Sequence, residues 1–366
     1  MTLIKEQFWF YARRAFWVMV AWIIISNTIF YFEYRTLLDK NALTSNYDFT
    51  LAFKSYFFVS LVAGFLGGTV TLNVMDWLLR KYAFWKALTG IALIYLVIAL
   101  FISFIGSHFY YSDVTGADLL SEEVHAASLE FFRSWTFIKN MIIWLLIVLG
   151  TLIVLMINDK FGPGVFPDYL KGRYFQPKRE ERVFMFVDIN DATTIAERIG
   201  EQQYFLFLKD FFNHIASSIQ QTYGEVYQYV GDEVVISWKL GKGIHNNNTI
   251  RCFFEMQKAI ENRRENYLNK YGAVPEFKAG VHCGFVMVGE LGKIKKDIAF
   301  SGDVLNTTAR IQAQCKSKGY PILISEVFGK KLYHLPKEMK LLSLGDEKLK
   351  GKQEEVSLMT VDQAKI

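Results

Sequence analysis

The chain has 366 residues, enough for more than one folded unit. Hydrophobic residues make up 52% and aromatics 16%, and the mean hydropathy is positive, which argues against a wholly soluble protein and for a membrane-embedded part joined to a soluble one. A net charge of +5 gives no case for nucleic acid as a partner.

In chain order, four segments have the length and apolarity of membrane helices: 15–32, 55–75, 87–106 and 140–158. None contains Asp, Glu, Lys or Arg, and about 20 apolar residues span a bilayer. One such run is compatible with a buried core helix; four within residues 1–158 predict a transmembrane domain. The first run lacks a small-residue cleavage site, so it does not read as a cleaved signal.

Basic residues set the expected orientation. Lys5, Arg13 and Arg14 precede the first span, Arg80, Lys81 and Lys86 separate the second from the third, and Lys160, Lys171, Arg173, Lys178 and Arg179 follow the fourth. Both termini are therefore expected in the cytoplasm, with the chain crossing the plasma (bacterial inner) membrane several times. The loop 107–134 is acidic and carries His108 and His125; it reads as a solvated surface.

Residues 159–180, broken by Gly162, Pro163, Gly164, Pro167 and Pro177, read as a linker between the membrane and soluble halves. From 181 to 366 the pattern alternates. "RVFMFVDI" is a short buried strand, and residues 192–224 have helical periodicity. "YQYVGDEVVISW" is a hairpin with Gly231-Asp232 at its tip. A second helix ends at Gly272, "FKAGVHCGFVMVGEL" is a strand or hairpin, and "DVLNTTARIQAQCKSKG" is a helix with Asp303 placed as its cap and Gly319 as its stop. This is an α+β domain with its own core. Cys252, Cys283 and Cys315 have no metal-ligand spacing and read as free thiols in a reducing compartment.

Asp188 ends the first strand of this domain and Asp232 sits at the hairpin tip. If the hairpin pairs beside that strand, the two acids converge into an oxygen-donor site for Mg²⁺ or Mn²⁺ with a phosphate substrate. Strand alternation from the tip turns Glu233 to the other side, and no role is expected of it.

"RVFMFVDINDATTIAERIG", "YQYVGDEVVISW" and "FSGDVLNTTARIQ" together resemble the catalytic core of class III nucleotidyl cyclases, the adenylyl and guanylyl cyclases. The resemblance covers residues 180–362, with the motifs in family order. It implies a ferredoxin-like βαββαβ core with extra strands. It also implies two metal ions, Mg²⁺ or Mn²⁺, held by Asp188 and Asp232 with help from the Ile189 carbonyl. On the same resemblance Asn306 orients the ribose, Arg310 stabilises charge on the α-phosphate, and Lys350 in "KLKGK" contacts the terminal phosphates. The metal acids and the Asn/Arg pair come from different protomers in the family, so a homodimer is implied.

The purine-reading positions depart from the family pattern. Gln228 stands where adenylyl cyclases commonly have Lys, and Ala299 where they have Asp or Thr; Ser301 is a neighbouring donor. A Gln amide both donates and accepts, so it suits adenine or guanine. The family favours ATP and an adenylate cyclase making cyclic AMP and pyrophosphate. A guanylate cyclase using GTP, or a membrane receptor with an inactive cyclase-like domain, are the alternatives. "VGDEV" only partly echoes the diguanylate cyclase hairpin, and no span carries the charged residue that marks an ion path in a transporter.

Overall fold

Backbone groups that cannot reach water must close their hydrogen bonds within one segment, so long apolar runs form helices. The computed structural model describes residues 2–43, 47–161, 171–294, 296–332, 335, 339–349 and 355–363. The chain divides into two units, Met1–Lys160 and Phe161–Ile366. The centre of the predicted linker, residues 162–170, lies outside the described residues, as does Lys350.

The first unit is helical: α1 (Thr2–Asp39), α2 (Phe49–Lys81), α3 (Phe84–Thr115), α4 (Glu122–Arg133) and α5 (Trp135–Phe161). Four of them contain stretches long and apolar enough to cross a membrane: Ala15–Asp39, Phe49–Thr69, Trp85–Thr115 and Trp135–Ile157. Only 11% or 17% of each stretch is buried within the unit, so most of its apolar surface faces outward, the reverse of a water-soluble bundle.

Small residues let α1 and α2 approach closely. A Cβ on Gly67 would lie 2.3 Å from the Trp22 ring, and one on Gly68 would lie 2.7 Å from the Ala15 carbonyl oxygen. Trp22 Nε1 donates to Thr151 Oγ1 at 2.8 Å, tying α1 to α5, and the Tyr95 hydroxyl donates to the Gly67 carbonyl at 2.8 Å, tying α3 to α2.

The acidic stretch 107–134 is mostly helix rather than loop. α3 runs on to Thr115, where Gly116 stops it in the left-handed region at φ 69°. α4 starts where the Ser121 hydroxyl accepts from the Val124 N–H, with Glu122 and Glu123 in its first turn and Arg133 in its last, each on the end that the helix dipole favours.

The second unit is an eight-stranded sheet with helices on it. Its strands are β1 (Lys178–Ile189), β2 (Glu225–Val230), β3 (Glu233–Lys239), β4 (Phe277–Leu291), β5 (Asp297–Ser301), β6 (Ile322–Ser325), β7 (Met339–Glu347) and β8 (Val356–Gln363). The order is β2-β3-β1-β4-β6-β8-β7, with β5 on β4. β1 lies antiparallel between β3 and β4. The helices α6 (Ala192–Ile199), α7 (Glu201–Gln221), α8 (Asn248–Glu261), α9 (Arg264–Tyr271) and α10 (Asp303–Ala313) complete it. Strand, helix, hairpin, helix and strand through β4 give the βαββαβ core, with β5 to β8 added.

Side chains along β1 alternate between two cores. Val183, Met185, Val187 and Ile189 join Phe207, Phe211, Ile215 and Phe253 from α7 and α8 on one face. Phe184 and Phe186 join Val286, Val288 and Val304 on the other. α10 lies on that second face because β4 has glycines beneath it. A Cβ on Gly280 would lie 2.3 Å from the Gln312 backbone nitrogen, and one on Gly284 would lie 2.8 Å from Val304.

Three local expectations change. The helix predicted over 192–224 breaks at Gly200, φ 81°. The helix ending at Gly272 breaks between Glu261 and Arg264. Asp303 does not cap α10: Gly302 holds that position, and Asp303, inside the first turn, accepts from the Thr307 hydroxyl at 3.2 Å.

Candidate active site

β1 opens with charged residues, runs apolar and buried from Val183 to Val187, and then presents Asp188, a polar side chain at the end of that apolar run. β2 and β3 turn through Gly231 and Asp232, with Val230 paired to Glu233. Gly231 has φ 62°, the left-handed region that a two-residue hairpin loop requires and glycine adopts without strain.

The β1–β3 register pairs Asp188 directly with Glu233. Directly opposed residues point to the same face, so Glu233 lies beside Asp188 rather than turned away. The expectation for Glu233 is corrected: alternation counted from Asp232 fails because Asp232 belongs to the turn and not to the strand.

The carboxyls feel one another. Burial raises the Asp232 carboxyl above its ordinary range and Asp188, within hydrogen-bonding reach, raises it further, while Lys278 works against the rise. Burial and then the charges of Asp188 and Asp232 push Glu233 up to about 7. Tyr204, at the start of α7, is pushed up to about 12 by burial and by Asp232 and Asp188. A cation at this place would relieve all three.

Two residues that sequence reasoning did not select hold Asp188. Lys278, its partner across the β1–β4 ladder, places Nζ 2.6 Å from Asp188 Oδ2. Gln312 of α10 donates its Nε2–H to the same oxygen at 3.0 Å. The pattern "FKAGVHCG" marks β4 as a strand, but only its register against β1 brings Lys278 to Asp188.

The donor set fits a hard divalent ion: Asp188, Asp232, Glu233 and the Ile189 backbone carbonyl offer oxygen alone. Among the described residues no group of three His, Cys, Asp or Glu side chains is placed to hold a metal ion by itself, so an ion here would need further ligands from water or a bound molecule.

Of the other predicted residues, Gln228, Ala299, Asn306 and Arg310 are described. Gln228 is exposed on β2, at a register shift in its pairing with β3. Ala299 is half-buried on β5, and Ser301 is exposed at that strand's end. Their neighbours join the two strands: the Tyr227 and Phe300 rings are 4.9 Å apart, and the Phe300 N–H donates to the Tyr227 hydroxyl at 3.5 Å.

Asn306 is exposed and Arg310 half-buried, one turn apart on α10. Gln312 is rotated about 200° from Arg310 around the helix. The flank that carries Gln312 to Asp188 is therefore opposite the flank that carries Asn306 and Arg310.

The model for the adenylate and guanylate cyclase catalytic domain matches residues 175–361. The chain belongs to this family. Adenylate cyclase 2 of Rhizobium meliloti is 32% identical over 223 residues, covering 61% of this chain and 61% of the relative. Adenylate cyclase 1 of the same organism is 28% identical over 179 residues, covering 48% of this chain and 26% of the relative. The match spans less than two thirds of either relative. A solved bacterial light-regulated adenylyl cyclase shares the fold of the cyclase domain, with a TM-score of 0.51 at 21% identity, covering 60% of this chain and 64% of that one.

Proposed function

We propose that this chain is a membrane-anchored adenylate cyclase, converting ATP to 3′,5′-cyclic AMP and pyrophosphate at a homodimer interface. The four apolar helices anchor it in the plasma membrane with both termini cytoplasmic. The observation that carries the reading is the convergence of Asp188, Asp232 and Glu233, three carboxylates with no cysteine or histidine among them, at the β1 end and hairpin tip of a cyclase-family fold.

Asp188 and Asp232, with the Ile189 carbonyl, would hold two Mg²⁺ or Mn²⁺ ions. Such ions would supply Lewis acidity to a phosphoryl displacement. The ribose 3′-hydroxyl gives its proton to water and its oxygen bonds to the α-phosphorus, while the bond from the α-phosphorus to the α,β-bridging oxygen breaks and that oxygen leaves with pyrophosphate. Arg310 offers fixed N–H donors to the α-phosphate, where charge builds up as the bonds exchange. Asn306, one turn away, positions the ribose, and Lys350 neutralises the leaving pyrophosphate.

Asn306 and Arg310 face away from their own chain's Asp188, so a second copy supplies them, and a two-fold dimer gives two equivalent sites. Gln228 and Ala299 read the purine, and the curated adenylate cyclase relatives favour adenine.

The test is product identification. The purified full-length protein in lipid nanodiscs is given Mn²⁺ with ATP or with GTP, and products are identified by mass spectrometry. Cyclic AMP from the wild type, and none from Asp232→Ala that still folds and dimerises, is the expected result. Full activity of Asp232→Ala sinks the carboxylate assignment. Cyclic GMP as the main product keeps the site and overturns the choice of purine.

A further inference from the structure

A pair of imidazoles joins α3 to α4 in the helical unit, apart from the catalytic residues. His108, late in α3, is 5% exposed, and His125 on α4 is exposed. His108 Nδ1 lies 2.9 Å from the Phe104 carbonyl oxygen one turn earlier. A carbonyl oxygen only accepts, so Nδ1 carries the proton and Nε2 carries the lone pair. Ser128 Oγ, 3.2 Å away, holds the same edge of the ring and is itself 2.5 Å from Ser107 Oγ. The lone pair on Nε2 is directed at His125, whose Nδ1 is 3.5 Å away.

We infer that His108 Nε2 and His125 Nδ1 form a binding site for a divalent transition ion of the imidazole-preferring class, Zn²⁺ or Cu²⁺. The spacing matches the span of two nitrogens on one ion as well as that of a long hydrogen bond. At 3.5 Å the contact is at the outer limit for nitrogen–nitrogen hydrogen bonding. Two nitrogens bound to one tetrahedral Zn²⁺ stand about 3.3–3.4 Å apart, given zinc–nitrogen distances of about 2.0–2.1 Å. The other ring nitrogen is also held: a metal-ligating histidine typically gives its other N–H to a backbone carbonyl, as His108 gives its own to Phe104.

The surroundings favour a cation. Asp113, Asp118, Glu122, Glu123 and Glu130 lie along the same stretch, against Arg133. No third His, Cys, Asp or Glu closes a cage among the described residues, so water completes the coordination. Nitrogen donors here and oxygen donors at the catalytic carboxylates select different ions. The bound ion staples the end of α3 to α4. The inference stands apart from the cyclase reading.

The test uses the full chain in lipid nanodiscs, with any affinity tag removed and excess Mg²⁺ present to occupy the oxygen sites. Zn²⁺ is titrated in competition with a chromophoric chelator, and Cu²⁺ is followed by electron paramagnetic resonance. One Zn²⁺ per chain is expected, with affinity reduced at least about tenfold in His125→Ala. The Cu²⁺ spectrum is expected to show two coupled nitrogens in the wild type and fewer in the variant. His125 is exposed, so the variant should keep the wild-type melting temperature without metal. Binding that persists unchanged in His125→Ala, that is lost in Asp188→Ala instead, or that is undetectable in the wild type overturns the inference.

Discussion

At the residue scale the site depends on register more than on residue identity. Asp188 and Asp232 are recognisable in sequence as acids at a strand end and a hairpin tip. Glu233 is not, because its side is fixed by pairing with Asp188 across β1 and β3. Gln312 is equally hidden: within the sequence it is one polar position of an amphipathic helix, and only packing on Gly280 brings it to Asp188.

A single histidine sets a pH dependence at this scale. His214 on α7 has Nδ1 2.7 Å from the Tyr267 hydroxyl. Its pKa is lowered from the ordinary 6.5 by burial and by the charges of Arg263 and Lys270, which outweigh the opposing pull of Asp210. The unfolded chain thus takes up the proton more readily than the folded one, so stability is full above pH 6.5 and falls as the pH drops through it. Glu233, pushed up to about 7, acts with the opposite sign over the same range, so the readout is a difference: below pH 6.5 the melting temperature of the wild-type soluble unit should fall relative to that of His214→Gln. An identical slope in the variant would remove His214 from the account.

At the element scale, α10 is the helix that links the core to the chemistry. It rests on Gly280 and Gly284 of β4, sends Gln312 to Asp188, and presents Asn306 and Arg310 from the other flank. The periodicity of "VLNTTARIQ" makes the helix legible in sequence, but not the strand beneath it. Gly280→Ala puts a Cβ 2.3 Å from the Gln312 backbone nitrogen, an overpacking that costs about 1–3 kcal/mol. Its melting temperature should fall measurably, and cyclase turnover should fall with it as α10 is lifted. Wild-type stability and turnover in Gly280→Ala would refute the packing account.

The acidic stretch 107–134 shows the opposite balance at this scale. Its charges suggest a loop, yet Ser121, Glu122, Glu123 and Arg133 are helix-end chemistry. Their capping role becomes visible only once the boundaries of α4 are known.

At the scale of the whole molecule the proposed site is shared between two chains, and mixing tests this directly. Asp188→Ala and Arg310→Ala each lack one half of every site and should be inactive alone, Arg310→Ala by about 10²–10³-fold in kcat. In random co-assembly half the dimers are mixed, and each mixed dimer regains one intact site of two. Activity should therefore recover to about a quarter of wild type. No recovery, with mixed dimers shown to form, would place all catalytic groups within one chain.

The sequence by itself determined the four apolar helices, the α+β cyclase fold and the two aspartates. The helices, the α+β alternation and the aspartates depend on local pattern (uninterrupted apolarity, alternating periodicity, and a Gly-Asp turn between β-rich runs), and the cyclase fold on the likeness of three motifs to that family. Tertiary structure alone decided that Glu233 joins Asp188, that Lys278 and Gln312 hold it, that Asn306 and Arg310 face away from it, and that His108 meets His125. Those relations arise from strand register and helix packing between residues far apart in the chain, and no local pattern encodes which distant side chains will share a face.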